Sequence, residues 1–328
     1  MPNVTLHLHL AERVLDHWRV RPHDAPFPTL SASTANAFRQ GAFGPDLGYF
    51  PGGNRILSDL AHCHRSGDLT RELLASARTP TERAWSLGWI THVLADYWIH
   101  PLIGCAVGEL LHGSAAWFVD GDSDPVAHVR VESGLDALYA ERHPELRAAR
   151  MAPVFDAPTI RFLVDAYEAT YGVVVDPAEV LRSHQLAARR STQGLAITGL
   201  VALTMPWSTR PRRSDSNRDA SRTRRTVSPL GAGAGEGALR AAVGRRSQAL
   251  AFLLPTPPPL WLIDATDAVT DDFVARFLEG LADGLRGLGN PNLDTGQQEE
   301  EARHHGGFRR CAEFLETAER LPARALAS

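Results

Sequence analysis

In the run AWSLGWITHVLADYWIHPLIG, His92, Asp96 and His100 recur at intervals of four residues. On an α-helix each such step advances about 6 Å along the axis and turns only about 40°, so all three side chains project from one stripe. His92 and His100 are too far apart to share one ion easily, and the spacing suits two neighbouring cations better than one. His128 and Glu132 repeat the i, i+4 pattern and set an imidazole beside a carboxylate for a single ion. Asp46 in Gly44-Pro45-Asp46, then His62 or His64, and His7 complete the set. Imidazole and carboxylate donors together suit Zn²⁺, whereas an all-oxygen set points to Mg²⁺ or Ca²⁺.

Plainer readings stand beside this one. A His/carboxylate pair such as His128/Glu132 arises often by chance. Burying an Asp and two His in so apolar a helix, however, is costly without a partner. His304-His305 lies in the polar stretch QQEEEARHHGG and reads as solvated. Tyr49, Phe50 and Trp98 read as core aromatics before they read as a surface for a lipid chain or a base. Cys63, Cys105 and Cys311 are widely spaced and odd in number, which suggests neither a disulfide framework nor a Cys-type zinc ribbon.

The elements that must position these groups are helical. Apolar residues at Val4, Leu8, Ala11, Val14, Leu15 and Trp18 follow the 3.6 period and predict an amphipathic helix over 4–20. A Gly/Pro-rich loop, GAFGPDLGYFPGGN, occupies 41–54. Short helices are expected at 55–66 and 69–77. Thr79-Pro80-Thr81-Glu82 is a capping box with Pro at the first helical position, and the buried helix after it is expected to end or kink near Pro101. Further helices are expected after Asp124-Pro125 and at 156–170, 177–205, 236–253, 268–287 and 298–320. No strand-like alternation persists, so the fold class is all-α.

The sequence divides into a helical metal-binding core over 1–207, an Arg/Ser/Gly-rich insertion over 208–235, and a C-terminal helical segment over 236–328 that packs on the core. The insertion holds too few apolar residues to offset the entropy of ordering and reads as a disordered linker or surface loop. Its Arg210–Arg225 stretch carries seven Arg against two Asp, which suits a solvated linker better than an anionic contact. All 34 basic residues are Arg, and a net charge of −4 gives no bulk attraction to nucleic acid or an anionic membrane. The N-terminus lacks the uninterrupted apolar stretch of a signal peptide. The apolar run Gly194–Trp207 falls short of the roughly 20 residues that span a bilayer. The expectation is a soluble, cytoplasmic protein without a stable nucleic-acid partner; oligomeric state is left open.

The stretches MPNVTLHLHLAERVL, GAFGPDLGYFP, SDLAHCHRSGDL, LGWITHVLADYWIHP and AHVRVESGLDAL together resemble the zinc-dependent phospholipase C family, which shares a helical fold with zinc-dependent single-strand nucleases. The order of motifs carries the resemblance: a His near the start, a loop Asp, a His, His-x3-Asp, a His, then His-x3-Glu. It covers about residues 1–140; beyond 150 only NPNLDTG, near 290–296, looks like the tail of bacterial members. The resemblance implies Asp46, His62, His92 and Asp96 as ligands of a first zinc, and His100, His128 and Glu132 as ligands of a second. In the secreted enzymes a third zinc uses an N-terminal Trp, a helix His and the Asp matching Asp96. Here His7, with His9 as the alternative, corresponds to that His, but the chain begins Met1-Pro2, so two zinc ions are expected rather than three. The gap between Asp96 and His100 is two residues shorter than in those enzymes, which would displace or weaken the second site.

The chemistry implied is hydrolysis of a phosphoester, such as a phospholipid or another phosphodiester, with Asp46 both a ligand and the group that orients or deprotonates the attacking water. The alternatives are a zinc-dependent nuclease or nucleotide phosphodiesterase, and a metal-stabilised binding or scaffold protein without turnover.

Overall fold

The computed structural model describes residues 4–27, 29–204 and 253–320. Along the chain run α1 (Val4–Val20), α2 (Ala32–Gly41), α3 (Arg55–Cys63), α4 (Ser66–Ser76), α5 (Pro80–His112), α6 (Pro125–Arg142), α7 (Arg161–Tyr171), α8 (Pro177–Thr204), α9 (Leu260–Ala282) and α10 (Gly306–Arg320). Among the described residues the only β feature is an isolated bridge between Pro291 and Gln298, so the fold is all-α. The insertion at 208–235 and the helix expected at 236–253 lie outside the described residues, but for the last position of that helix.

α5 organises the molecule. Thr79 Oγ1 accepts the Glu82 N–H at 3.1 Å and the Glu82 carboxylate accepts the Thr79 N–H at 2.9 Å, which closes the capping box. The helix does not end at Pro101; it continues to His112, where Gly113 (φ +77°) stops it in the left-handed region. Burial of Ile103 and Val107 beyond the proline offsets the backbone hydrogen bond that Pro101 cannot make. α2, which no strong local pattern announced, is capped by Ser31 and lies flat along α5. The two backbones meet so closely that a Cβ at Gly88 would stand 1.9 Å from the Phe38 carbonyl oxygen. This contact fixes where the chain leaving α2 enters the site.

Around α5 the other helices bury one continuous core. The first turn of α1 is held by Asp136 of α6, whose Oδ1 accepts the N–H groups of Thr5 at 2.7 Å and Leu6 at 2.9 Å. α9 packs Phe273 against Trp98 and Phe277 against Trp18. Arg310 of α10 donates to Asp59 of α3. α9 and α10 are shifted from the expected 268–287 and 298–320. Gly284 and Leu285 take positive φ and end α9 early, while residues 290–305 form turns, so α10 starts only at Gly306. No helix among the described residues is long and apolar enough to cross a membrane.

Candidate metal centre

The stripe on α5 faces inward. His92 and Asp96 are 1% and 2% exposed, and Asp96 sits among four imidazoles. Its Oδ2 lies 3.0 Å from His92 Nε2 and 3.5 Å from His62 Nε2; its Oδ1 lies 3.2 Å from His7 Nε2 and 3.4 Å from His100 Nε2. Asp46 arrives on the short 3₁₀ turn Pro45–Gly48, with Oδ1 3.3 Å from His62 and Oδ2 3.9 Å from His92. Two groups of mutually close ligand atoms result on this side: His7, His92 and Asp96, and Asp46, His62 and His92.

Backbone carbonyls set the histidine tautomers. His62 Nδ1 donates to the Ser58 carbonyl at 2.8 Å, and His92 Nδ1 to the Ala42 carbonyl at 2.9 Å. A carbonyl can only accept, so both Nδ1 atoms carry protons and the Nε2 atoms point into the cluster. Those two Nε2 atoms are 3.4 Å apart. Neutral imidazoles would thus bring two lone pairs together and aim both at carboxylates, an arrangement that suits a cation between them.

On the far side of Asp96, His100 Nε2 lies 3.1 Å and His128 Nε2 3.4 Å from Glu132 Oε1. The mutually close group here is His100, His128 and Asp294, a residue of the turn after α9. The buried Nδ1 atoms of His7, His100 and His128 make no hydrogen bond. Neither Asp294 nor His305 is among the site residues the sequence points to. His305, expected to be solvated, is instead 4% exposed, with Nε2 2.8 Å from Asp294 Oδ2. Its acidic sequence neighbours masked it; the signal was the turn grammar of NPNLDTG, not the charge run.

The alternatives His9 and His64 lie elsewhere. His9 stacks on His143 beside Tyr139, and burial pushes it down to about 3. His64 lies past the end of α3, 3.0 Å from Glu299. Neither joins the cluster, whereas His7 and His62 do. Phe50 is a core residue, Tyr49 donates to Asp59 at 2.9 Å, and Trp98 packs on Phe273.

The electrostatics are extreme. Asp46, Asp96, Glu132 and Asp294 are buried or nearly so, and among the described residues none of them forms an ion pair with an Arg; their ion-pair partners are all imidazoles. Burial would make His62 neutral, but Asp46 and Asp96 raise it to about 10. Burial likewise opposes charge on His100, which Asp96, Glu132 and Asp294 raise to about 10. Against the cost of burial, the surrounding histidines hold Asp96 well below the usual carboxylate range and lower Asp294 to about 2. Four clustered buried carboxylates call for positive charge, and the nitrogen and oxygen donors present fit zinc.

Fold and site together define a helical protein built around a buried histidine–carboxylate centre able to hold cations. A family model described as zinc dependent phospholipase C matches residues 6–172, and the chain belongs to that family. No curated protein and no solved structure matches it.

Proposed function

We propose that the chain is a zinc-dependent hydrolase of phosphoric esters, with phosphodiesters of the phospholipid kind as its substrate class, working through two cation sites joined at Asp96. The carrying observation is the division of Asp96: one carboxylate oxygen turns to His92 and His62, the other to His100 and His7. Asp46, His62, His92 and Asp96 make the first site; His100, His128 and Glu132 make the second, with Asp96 Oδ1 shared into it beside His100. His7, stacked on His92 at 4.0 Å, would serve a third ion only with a further donor from elsewhere.

Zinc held here would make a water acidic enough to ionise near neutral pH and would stabilise charge on the phosphoryl and leaving oxygens. The protein's own groups supply orientation and proton handling. The Ser58 and Ala42 carbonyls lock His62 and His92 with Nε2 inward. On this reading Asp46, through Oδ2, the less engaged of its oxygens, would orient an attacking water and take its proton. The centre is closest to solvent at His100 and Asp294, each with a side chain 15% exposed, and a phosphoryl group would approach there.

The test is an assay of the purified full chain with zinc against bis-p-nitrophenyl phosphate, phosphatidylcholine vesicles and single-stranded DNA. Turnover of the first two, abolished by a chelator, is expected. Cleavage of DNA alone would move the protein to the nuclease branch. Full metal loading with no turnover of any substrate would make it a metal-stabilised scaffold.

A further inference from the structure

Asp294 lies beyond the family-matched residues, in a turn built by its neighbours. Asn292 Oδ1 accepts the N–H groups of Asp294 at 3.0 Å and Thr295 at 3.2 Å. Leu293 N–H donates to the His62 carbonyl at 2.7 Å, which ties the turn directly to α3. Gly296 (φ +69°) lets the turn press on α5; a Cβ there would stand 2.5 Å from Pro101 Cγ. The carboxylate is therefore delivered to the centre by fixed backbone.

Its two oxygens are engaged differently. Oδ2 accepts the Gly121 N–H at 2.9 Å, and that N–H also reaches Oδ1 at 3.2 Å. Oδ2 also meets His305 Nε2 at 2.8 Å. The other nitrogen of His305 fixes the sense of this bond. Gly307 N–H donates to Nδ1 at 3.2 Å, and the Cys63 thiol lies 3.8 Å from it. A ring nitrogen that accepts carries no proton, so Nε2 is the protonated one and donates to Asp294. With both ring nitrogens committed, His305 is not free to ligate, which disfavours a separate cation site at Asp120, Asp294 and His305 despite their closeness. Oδ1 points instead at His128, 3.7 Å from Nε2, the nitrogen that also faces Glu132; its 3.9 Å approach to His100 is to Nδ1, not to the Nε2 that faces Glu132, so His128 carries the link to this site. Donor atoms on one tetrahedral zinc, with bonds of 2.0–2.1 Å, stand about 3.3 Å apart. His128 Nε2, at 3.4 Å from Glu132 and 3.7 Å from Asp294, is near that spacing from both.

We infer that Asp294 Oδ1 is an additional protein ligand of the His100/His128/Glu132 cation site, with His305 as its positioning residue. This rests on the two-site reading above. A second anionic donor lowers the net positive charge of that site and favours holding the ion over polarising a substrate. It also gives the segment after α9 a direct role in the centre.

Zinc per folded chain, and affinity in competition with a chelating dye, would be measured on full-length wild type, Asp294→Asn, His305→Leu and His305→Gln. Asp294→Asn should lose one equivalent or bind it at least tenfold more weakly, while the first site keeps its ion. His305→Leu should weaken the same equivalent by roughly 10–100-fold, the range seen for groups that orient ligands, and His305→Gln, which retains a donor, should recover much of the loss. Wild-type stoichiometry and affinity in both Asp294→Asn and His305→Leu would overturn the inference and leave the hydrolase reading intact. Zinc absent from wild type would remove both. Should Asp294→Asn fail to fold, the contrast between His305→Leu and His305→Gln decides: equal affinities overturn the assignment.

Discussion

Asp96 touches four imidazoles with two oxygens, so its replacement should have consequences that no other ligand shares. Asp96→Asn is expected to cost more than one equivalent of zinc by elemental analysis, whereas His128→Ala should cost one at most. Loss of a single equivalent from Asp96→Asn would count against a shared ligand. Proton exchange supplies a second check. His62 and His100 are raised to about 10, so the metal-free protein holds protons on them at neutral pH, and cation binding must expel those protons. Zinc uptake should release protons, as read by calorimetry in buffers of different ionisation heat. For the metal-free chain the linkage has a definite sign. Groups with raised folded pKa stabilise it fully below about 6.5, and that contribution fades as pH rises toward 10. Its Tm should therefore fall between pH 6.5 and 9; a flat or rising Tm would show that His62 and His100 are not charged in the fold.

At the scale of elements, the close approach of α2 to α5 couples packing to ligand orientation. Ala42, just past α2, supplies the carbonyl that holds His92. Gly88→Ala would drive a methyl into the Phe38 carbonyl, and backbone cannot step aside as a flexible side chain can. The expected cost is roughly 1–3 kcal/mol in urea unfolding, with zinc affinity weakened at the first site more than at the second. α1 depends on Asp136 in a different way. Burial pushes this carboxyl up to about 7 despite two N–H donors. Asp136→Leu should cost about 2–5 kcal/mol, because it removes the buried acceptor of two backbone N–H groups in the first turn of α1. Asp136→Asn keeps an acceptor and should cost far less; equal losses in the two variants would argue that the hydrogen bonds are unimportant.

For the molecule as a whole, what could be read in the sequence divides along sequence distance. The i, i+4 geometry of His92, Asp96 and His100 is local, and in the fold His92 and His100 both face Asp96. The choice of His7 over His9 is not local: two residues along a helix turn the side chain by about 200°, and only the packing of α1 says which face meets α5. His62 and His64 were likewise separable only once α3 was seen to end between them. α2 is short, and it meets α5 through close glycine contacts at Gly41 and Gly88. Asp294 and His305 lie far along the chain from His128, and no periodicity links them. The polar run around His305 reported the solvated side of a turn whose other side is buried.

The hydrogen bond from Leu293 to the His62 carbonyl ties the turn after α9 to a residue made far earlier in synthesis. On the two-site reading, the pocket for the second ion can therefore close only once the turn after α9 has been made. A prematurely terminated product would carry most of the histidines yet lack the clasp.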